Sequence, residues 1–208
     1  PDSGRICIDG ASVRITSPRV AVRLGIGMIY QELYLVSHLS VGENILLGRE
    51  PLRAGMVDFH RLHQEAQKHL DQLECGLSSR QQVADLGIAQ RQMVEIAKAL
   101  SRQARFLVMD EPTASLSEAE TEKLFSIIGS LRKGGVGVAY ISHRLEEVME
   151  IGDRVTVLRD GKHVGSRAVA DTGINELVSL MVGREIRQVY PKRETQISEE
   201  ILRVEGLS

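Results

Sequence analysis

Apolar and polar residues follow two rhythms along this chain, and the places where the rhythm changes mark its elements. Arg5 to Asp9 (RICID) alternate with a period of two between turn glycines Gly4 and Gly10, which predicts a strand within a hairpin. Ser17-Pro18 opens a short helix and Gly25 follows its end, with a capping hydroxyl and an N1 proline in the expected order. Ile26 to Gln31 (IGMIYQ) reads as a brief strand ending at Gln31, and Ser40 to Gly48 as a capped helical turn. The period then lengthens. Leu62, Ala66, Leu70 and Leu73 recur at helical spacing over 58–74, and Met93, Ile96, Ala97 and Leu100 do so over 89–101. A helical block over about 33–101 is therefore expected between strand-rich flanks.

After this block the pattern becomes strand, helix, strand. Phe106 to Asp110 (FLVMD) shows no polar alternation, which predicts a strand covered on both faces, as in a parallel sheet. Ser117 and Glu120 fit a capping box ahead of the stripe Leu124, Ile127, Ile128 and Leu131, and Gly134-Gly135 stops that helix. Residues 136–142 read as a second buried strand, ending at His143. A short helix over 144–152, a hairpin around Asp160-Gly161 and a last helix over 174–183 complete the order. Residues 184–200 are charged, aperiodic and contain Pro191, as a linker would; 201–208 (ILRVEGLS) start a new apolar alternation. The fold class this predicts is α/β.

Composition narrows the function classes. With 26 basic and 28 acidic residues the formal charge is −2, so bulk charge gives no argument for nucleic-acid binding. Aromatics are 3% and tryptophan is absent, which disfavours a base-stacking platform. No apolar run is long enough to span a bilayer. Cys7 and Cys75 lack metal-ligand spacing and read as idle thiols, in keeping with a reducing compartment.

The chemistry collects at strand ends. Gln31, the pair Asp110-Glu111 and His143 each close a predicted strand, and open α/β sheets bind ligands at that carboxyl edge. Two adjacent carboxylates at the end of an apolar run repel each other and call for a counter-charge. Mg²⁺ with a nucleoside triphosphate supplies one, and an apolar strand ending in Asp-Glu is the Walker B pattern. Asp110 would then hold the metal, through its water shell because Mg²⁺ dehydrates reluctantly. Glu111 would orient and deprotonate the attacking water, since phosphoryl transfer rests on positioning and charge stabilisation. The bland alternative is a pair of carboxylates favoured by a helix N-terminus.

Taken in order, Gln31, LGIAQRQMVEIAKAL, FLVMDEPTASL and YISHRLEEV resemble the nucleotide-binding domain of ABC transporters over nearly the whole chain. The resemblance implies a P-loop NTPase fold of ABC type, with a parallel sheet core and an inserted helical subdomain. It makes Gln31 the Q-loop glutamine, contacting Mg²⁺ through water, Asp110 the Walker B aspartate, Glu111 the catalytic glutamate and His143 the switch histidine. Ala114, Ser115, Leu116 and Ser117 form the D-loop. Leu86, Gly87, Ile88, Ala89 and Gln90 form the signature that completes the ATP site of a facing domain. Residues 26–50, 92–101 and 140–148 further resemble the first half of the tandem ATPases of bacterial monosaccharide importers, of the ribose, galactose or xylose type. That implies a domain over 1–183, a linker over 184–200 and a second nucleotide-binding domain starting at 201–208. The implied partners are that second domain, an integral-membrane permease and, indirectly, a periplasmic sugar-binding protein, with no nucleic acid. The implied location is the cytoplasmic face of the inner membrane, as a peripheral subunit.

Two departures qualify the resemblance. The signature commonly reads Leu-Ser-Gly-Gly-Gln, and here Gly87 replaces the serine and Ala89 a glycine. No G-x-x-x-x-G-K-[ST] occurs, so the backbone cradle and lysine that wrap triphosphate are not among these residues. Together with an opening at Pro1, in the middle of a β-structure, this leads us to expect a chain truncated at its N-terminus and, by itself, without normal ATPase activity. Leu33, Tyr34, Leu35 and Val36, after Gln31, fit either an exposed permease contact or subdomain core. His38, His60, His63, His69 and His163 read as surface or packing residues. Alternative readings are a soluble ABC ATPase of DNA repair or translation, and a regulatory ABC domain without catalysis.

Overall fold

The computed structural model describes residues 4–183 together with 203, 205 and 206. The expected linker over 184–200 lies outside the described residues, as does most of the expected strand at 201–208. The chain forms two compact units, one through Asp153 and one from Arg154 onward.

The first unit contains β1 (Ile6–Ile8), β2 (Ala11–Val13), α1 (Pro18–Arg23), β3 (Ile26–Ile29), α2 (Val41–Leu46), β4 (Leu52–Arg53), β5 (Met56–Val57), α3 (Phe59–Gln72), α4 (Ile88–Ser101), β6 (Phe106–Asp110), α5 (Glu118–Lys133), β7 (Gly137–Ile141) and α6 (Leu145–Ile151). Its centre is a parallel sheet in the order β3-β6-β7, with Met28, Val108 and Ala139 in register across it. Side chains alternate across a strand, so Leu107 and Met109 share one face with Ile29 and Tyr140. That face carries the core, where it meets the stripes of the helices. Leu62, Ala66 and Leu70 of α3, Val94, Ile96 and Ala97 of α4, and Leu124 and Ile128 of α5 all belong to one buried cluster. The helical stripes are therefore where the 3.6-residue period placed them.

The sheet is tightly packed on this side. A Cβ on Gly27 would lie 2.8 Å from Leu107 Cδ2 and 3.1 Å from Ala99 Cβ, which explains a glycine inside a strand. The opposite face departs from expectation. An unbroken apolar run predicted cover on both sides of β6, yet Met28, Phe106 and Ile141 are 42%, 42% and 47% exposed. Among the described residues, then, only one face of the sheet is covered.

Helix starts follow the local code. Ser17 caps α1 with Pro18 in its first turn. Ser40 and Glu43 close a reciprocal capping box on α2, and Ser117 and Glu120 do the same on α5. One element interrupts the expected helical block: β4 and β5 form a small antiparallel hairpin, turning through Ala54 (φ 52°) and Gly55 (φ 83°). Strands of two residues carry no readable alternation. The expected N-terminal hairpin forms between β1 and β2 around Asp9-Gly10, and Asp9 is tied to Arg105 by hydrogen bonds of 2.8 and 3.1 Å.

The second unit pairs β8 (Arg154–Arg159) with β9 (Lys162–Ala168) through Asp160-Gly161, both at positive φ, as a two-residue hairpin turn demands. α7 (Ile174–Val182) buries Leu177 completely and stops at Gly183 (φ 77°). Among the described residues no helix is long and apolar enough to cross a membrane.

Candidate active site

Because β3, β6 and β7 run parallel, their three polar ends come out on one edge. Asp110 is the last residue of β6 and pairs with Ile141 of β7. The ladder continues one step further, with Glu111 N–H donating to Ile141 O at 2.9 Å. There the chain turns sharply: Glu111 sits at φ 44°, a left-handed conformation costly for a residue with a side chain, and Ala114 N–H donates to its carbonyl at 3.2 Å. The turn sends the Glu111 carboxylate to the loop after β7, where His143 Nδ1 lies 3.0 Å from Glu111 Oε1. An ionised carboxylate can only accept, so with Glu111 ionised His143 carries its proton on Nδ1, and Nε2 makes no hydrogen bond among the described residues. The His143 side chain is 67% exposed against 30% for Glu111, so the pair opens to solvent on the histidine side. Gln31 stands exposed two residues beyond the end of β3.

A further carboxylate, which the sequence reading did not single out, is bonded to the segments that carry this pair. Glu147 of α6 is 3% exposed. Its oxygens accept from Thr113 Oγ1 at 2.8 and 2.9 Å, Tyr140 OH at 2.7 Å and Ser142 Oγ at 2.9 Å. Arg144 Nη1 reaches Glu147 Oε1 at 2.7 Å. A buried charge is tolerated when it is paired and fully hydrogen-bonded, and both conditions hold here. Burial raises the pKa of the Tyr140 phenol, so it stays protonated and donates. A glutamate in the first turn of a helix reads as a partner of the helix dipole; only the fold turns it inward.

The loop after Gln31 is pinned by another buried polar residue. Asn44 accepts from Val36 N–H at 2.8 Å and donates to Val36 O at 3.0 Å. Of the apolar run that follows Gln31, Tyr34 is exposed and meets Tyr30 edge-on at 5.6 Å, while Leu35 packs on the core. Met28, Tyr30, Tyr34, Ala21, Val22 and Lys98 line a neighbouring groove of about 370 Å³.

The remaining candidates lie apart from the pair. Leu86 is buried, Gly87 is the N-cap of α4, and Gln90 folds its side chain back onto Gly87 N–H at 3.1 Å, with Ile88 exposed and Ala89 half-buried. Among the described residues no hydrogen bond or ion pair joins Leu86–Gln90 to Asp110, Glu111 or His143. Ala114 and Ser115 are exposed, Leu116 leans on the core, and Ser117 is engaged with Glu120, whose carboxyl is held below its usual range by the backbone and hydroxyl of Ser117. His60 bonds Gln64 and His163 bonds Ser166. Burial lowers the pKa of His63 and His69.

The profile of the ABC transporter family matches residues 1–114. The chain belongs to the ABC transporter family. It is 55% identical to a ribose import ATP-binding protein RbsA 1 of Rubrobacter xylanophilus, over all of this chain and 41% of that protein. It is 52% identical to a ribose import ATP-binding protein RbsA 2 of Streptomyces coelicolor, over all of this chain and 40% of that protein. This ABC chain thus spans well under half the length of the curated relatives it matches. A crystal structure of a nucleotide-free ATP-binding cassette from an ABC transporter superposes with a TM-score of 0.69 at 22% identity, over 86% of this chain and 77% of that one. The fold is accordingly that of an ABC-type cassette.

The site residues suit one side of a Mg-nucleotide complex. Among the described residues no group of three or more His, Cys, Asp or Glu could hold a metal unaided. Mg²⁺ asks for less, because it is held by one or two carboxylates together with phosphate oxygens and water. Asp110 at the strand end meets that requirement. The phosphate-wrapping loop is not in this ABC sequence.

Proposed function

We propose that the full-length protein binds and hydrolyses Mg-ATP to power import of a monosaccharide, with ribose as the first candidate. The observation that carries this reading is the Glu111–His143 pair, held 3.0 Å apart at the carboxyl edge of a parallel sheet in a chain of this family. The ribose import names of the two relatives described above support the substrate class.

In this reading Asp110 holds Mg²⁺ through water, with Gln31 as a second contact. The metal, when bound, offsets the charge of the phosphates. Glu111 engages His143 through Oε1 and keeps Oε2 free to orient a water and take its proton. His143 donates through Nδ1 to Glu111 and presents Nε2 toward the phosphate side. Leu86–Gln90 at the start of α4 and the loop Ala114–Ser117 serve the facing domain, where helix N–H groups favour anions. We place the second nucleotide-binding domain in the same polypeptide, joined through a linker at 184–200. The integral-membrane permease would dock at the groove beside Tyr30 and Tyr34, whose apolar and aromatic lining suits a protein contact. The protein would then be peripheral, on the cytoplasmic face of the membrane, and a periplasmic sugar-binding protein would act through the permease.

Glu111→Gln in the full-length protein tests the assignment. The amide keeps the shape and cannot take a proton, so turnover should fall by about 10²–10⁴-fold while ATP stays bound. Steady hydrolysis at the wild-type rate would remove Glu111 from the chemistry.

A further inference from the structure

We propose that Glu147 is a positioning residue for this ATPase site, a buried clamp that sets Glu111 and His143 against each other. The proposal rests on the reading of that pair given above. Among the described residues Glu147 makes no hydrogen bond or ion pair to either member. It holds the segments on which both stand.

Thr113 is two residues beyond Glu111, and its hydroxyl donates to both Glu147 oxygens at 2.8 and 2.9 Å. Ser142 and Arg144 flank His143, and both reach the same carboxylate, at 2.9 and 2.7 Å. Arg144 N–H also donates to Ser142 Oγ at 3.0 Å, closing the histidine loop on itself. Tyr140, on β7, supplies the last donor at 2.7 Å. One carboxylate on α6 therefore ties together the loop after β6, strand β7 and the loop after β7.

The need for such a clamp is visible in the backbone. Glu111 occupies a left-handed conformation at φ 44°, which persists only where the surroundings over-determine it. The His143 side chain is 67% exposed, so its own burial does little to hold it. A shift of about 1 Å at a reacting group can cost two orders of magnitude in rate. A buried, fully bonded anion is stiff, because each of its donors would lose a partner if it moved. The inference concerns geometry at the reacting pair, not nucleotide affinity.

The test uses the full-length protein with Glu147→Ala, Glu147→Gln and the double variant H143A/E147A, assayed well below the melting transition. Glu147→Ala should lower kcat by roughly 10- to 100-fold and leave KM for ATP within about threefold. Glu147→Gln, which keeps the shape and part of the bonding, should recover much of that loss. In the H143A background the Glu147→Ala change should cost several-fold less than it does alone, since one of its two routes to the chemistry, the histidine loop, is already cut and only the Thr113 route to Glu111 remains. Should Glu147→Ala fail to fold, Tyr140→Phe removes one donor and should lower kcat by roughly 2- to 10-fold at unchanged KM. Unchanged kcat, parallel loss of kcat and nucleotide binding, or full additivity with H143A would each overturn the proposal. Hydrogen exchange of the 142–144 amides gives a readout without turnover, and Glu147→Ala should speed it at least tenfold. If Glu111→Gln hydrolyses ATP normally, the assignment of the Glu111–His143 pair to the chemistry fails by itself. The exchange result still decides whether Glu147 holds the loop: faster exchange upholds the clamp, and unchanged exchange overturns it.

Discussion

Replacing Gly87 by serine restores the hydroxyl that an ABC signature commonly carries, and the structure allows its consequences to be worked out. Gly87 lies at φ −68°, ψ 168°. The two serine caps Ser40 and Ser117 lie at −67°, 164° and −70°, 165°. A serine at 87 therefore inherits a backbone that serine already adopts twice in this chain. An added Cβ meets nothing nearer than Gln90 Oε1, at 3.9 Å, so it enters without steric cost. Glycine is nearly as good an N-cap as serine, and the stability gain is only a few tenths of a kcal/mol, a shift of about 1 °C in Tm. A hydrogen bond to a charged phosphate is worth more, roughly 1.5–3 kcal/mol. At about 1.36 kcal/mol per tenfold, that is roughly a 10- to 150-fold gain. The assay is kcat/KM for ATP in the full-length protein, with a thermal melt beside it. A rise of at least about tenfold at nearly constant Tm is expected. Unchanged kcat/KM would refute the assignment of the α4 N-terminus to a nucleotide site, and a fall of several degrees in Tm would refute the cap geometry.

Gly27→Ala forces a methyl group to within 2.8 Å of Leu107 and 3.1 Å of Ala99. The overpacking should cost about 1–3 kcal/mol and lower Tm by roughly 3–10 °C, and an unchanged melt would show that the sheet and α4 stand further apart than described. Burial lowers the pKa of His63 and of His69 below the ordinary value of 6.5. The unfolded chain then binds more protons just below that value, so the stability these neutral imidazoles contribute is complete above about pH 6.5 and declines as pH falls through their folded pKa values. Urea midpoints measured from pH 7.5 to 5 should fall, less steeply in His69→Gln; equal slopes in both proteins would contradict the burial of His69.

How much of this could be read from the chain depends on the range of the forces involved. Helix stripes such as Leu62, Ala66 and Leu70 were legible because periodicity is local. The capping boxes at Ser40 and Ser117 were legible because both partners lie within one turn of helix. The pairing of Glu111 with His143 was also foreseeable, since two apolar strands that end in polar residues must emit them at one edge if they run parallel. The hairpin of β4 and β5 was not, because two-residue strands leave no pattern to detect.

Which surface of the sheet is buried was decided by packing. Phe106 and Leu107 are equally apolar in sequence; Leu107 is wholly buried and Phe106 is 42% exposed because the helices cover one side of β6. Glu146 and Glu147 are identical letters side by side, yet one faces solvent and the other is enclosed by donors from β7 and two loops. The sequence by itself determined the longer elements, their caps and the polar residues that close the strands, all set by residues a few positions apart. The tertiary structure alone decided the left-handed turn at Glu111, the covered face of β6 and the environment of Glu147, because each depends on groups brought together from distant parts of the chain.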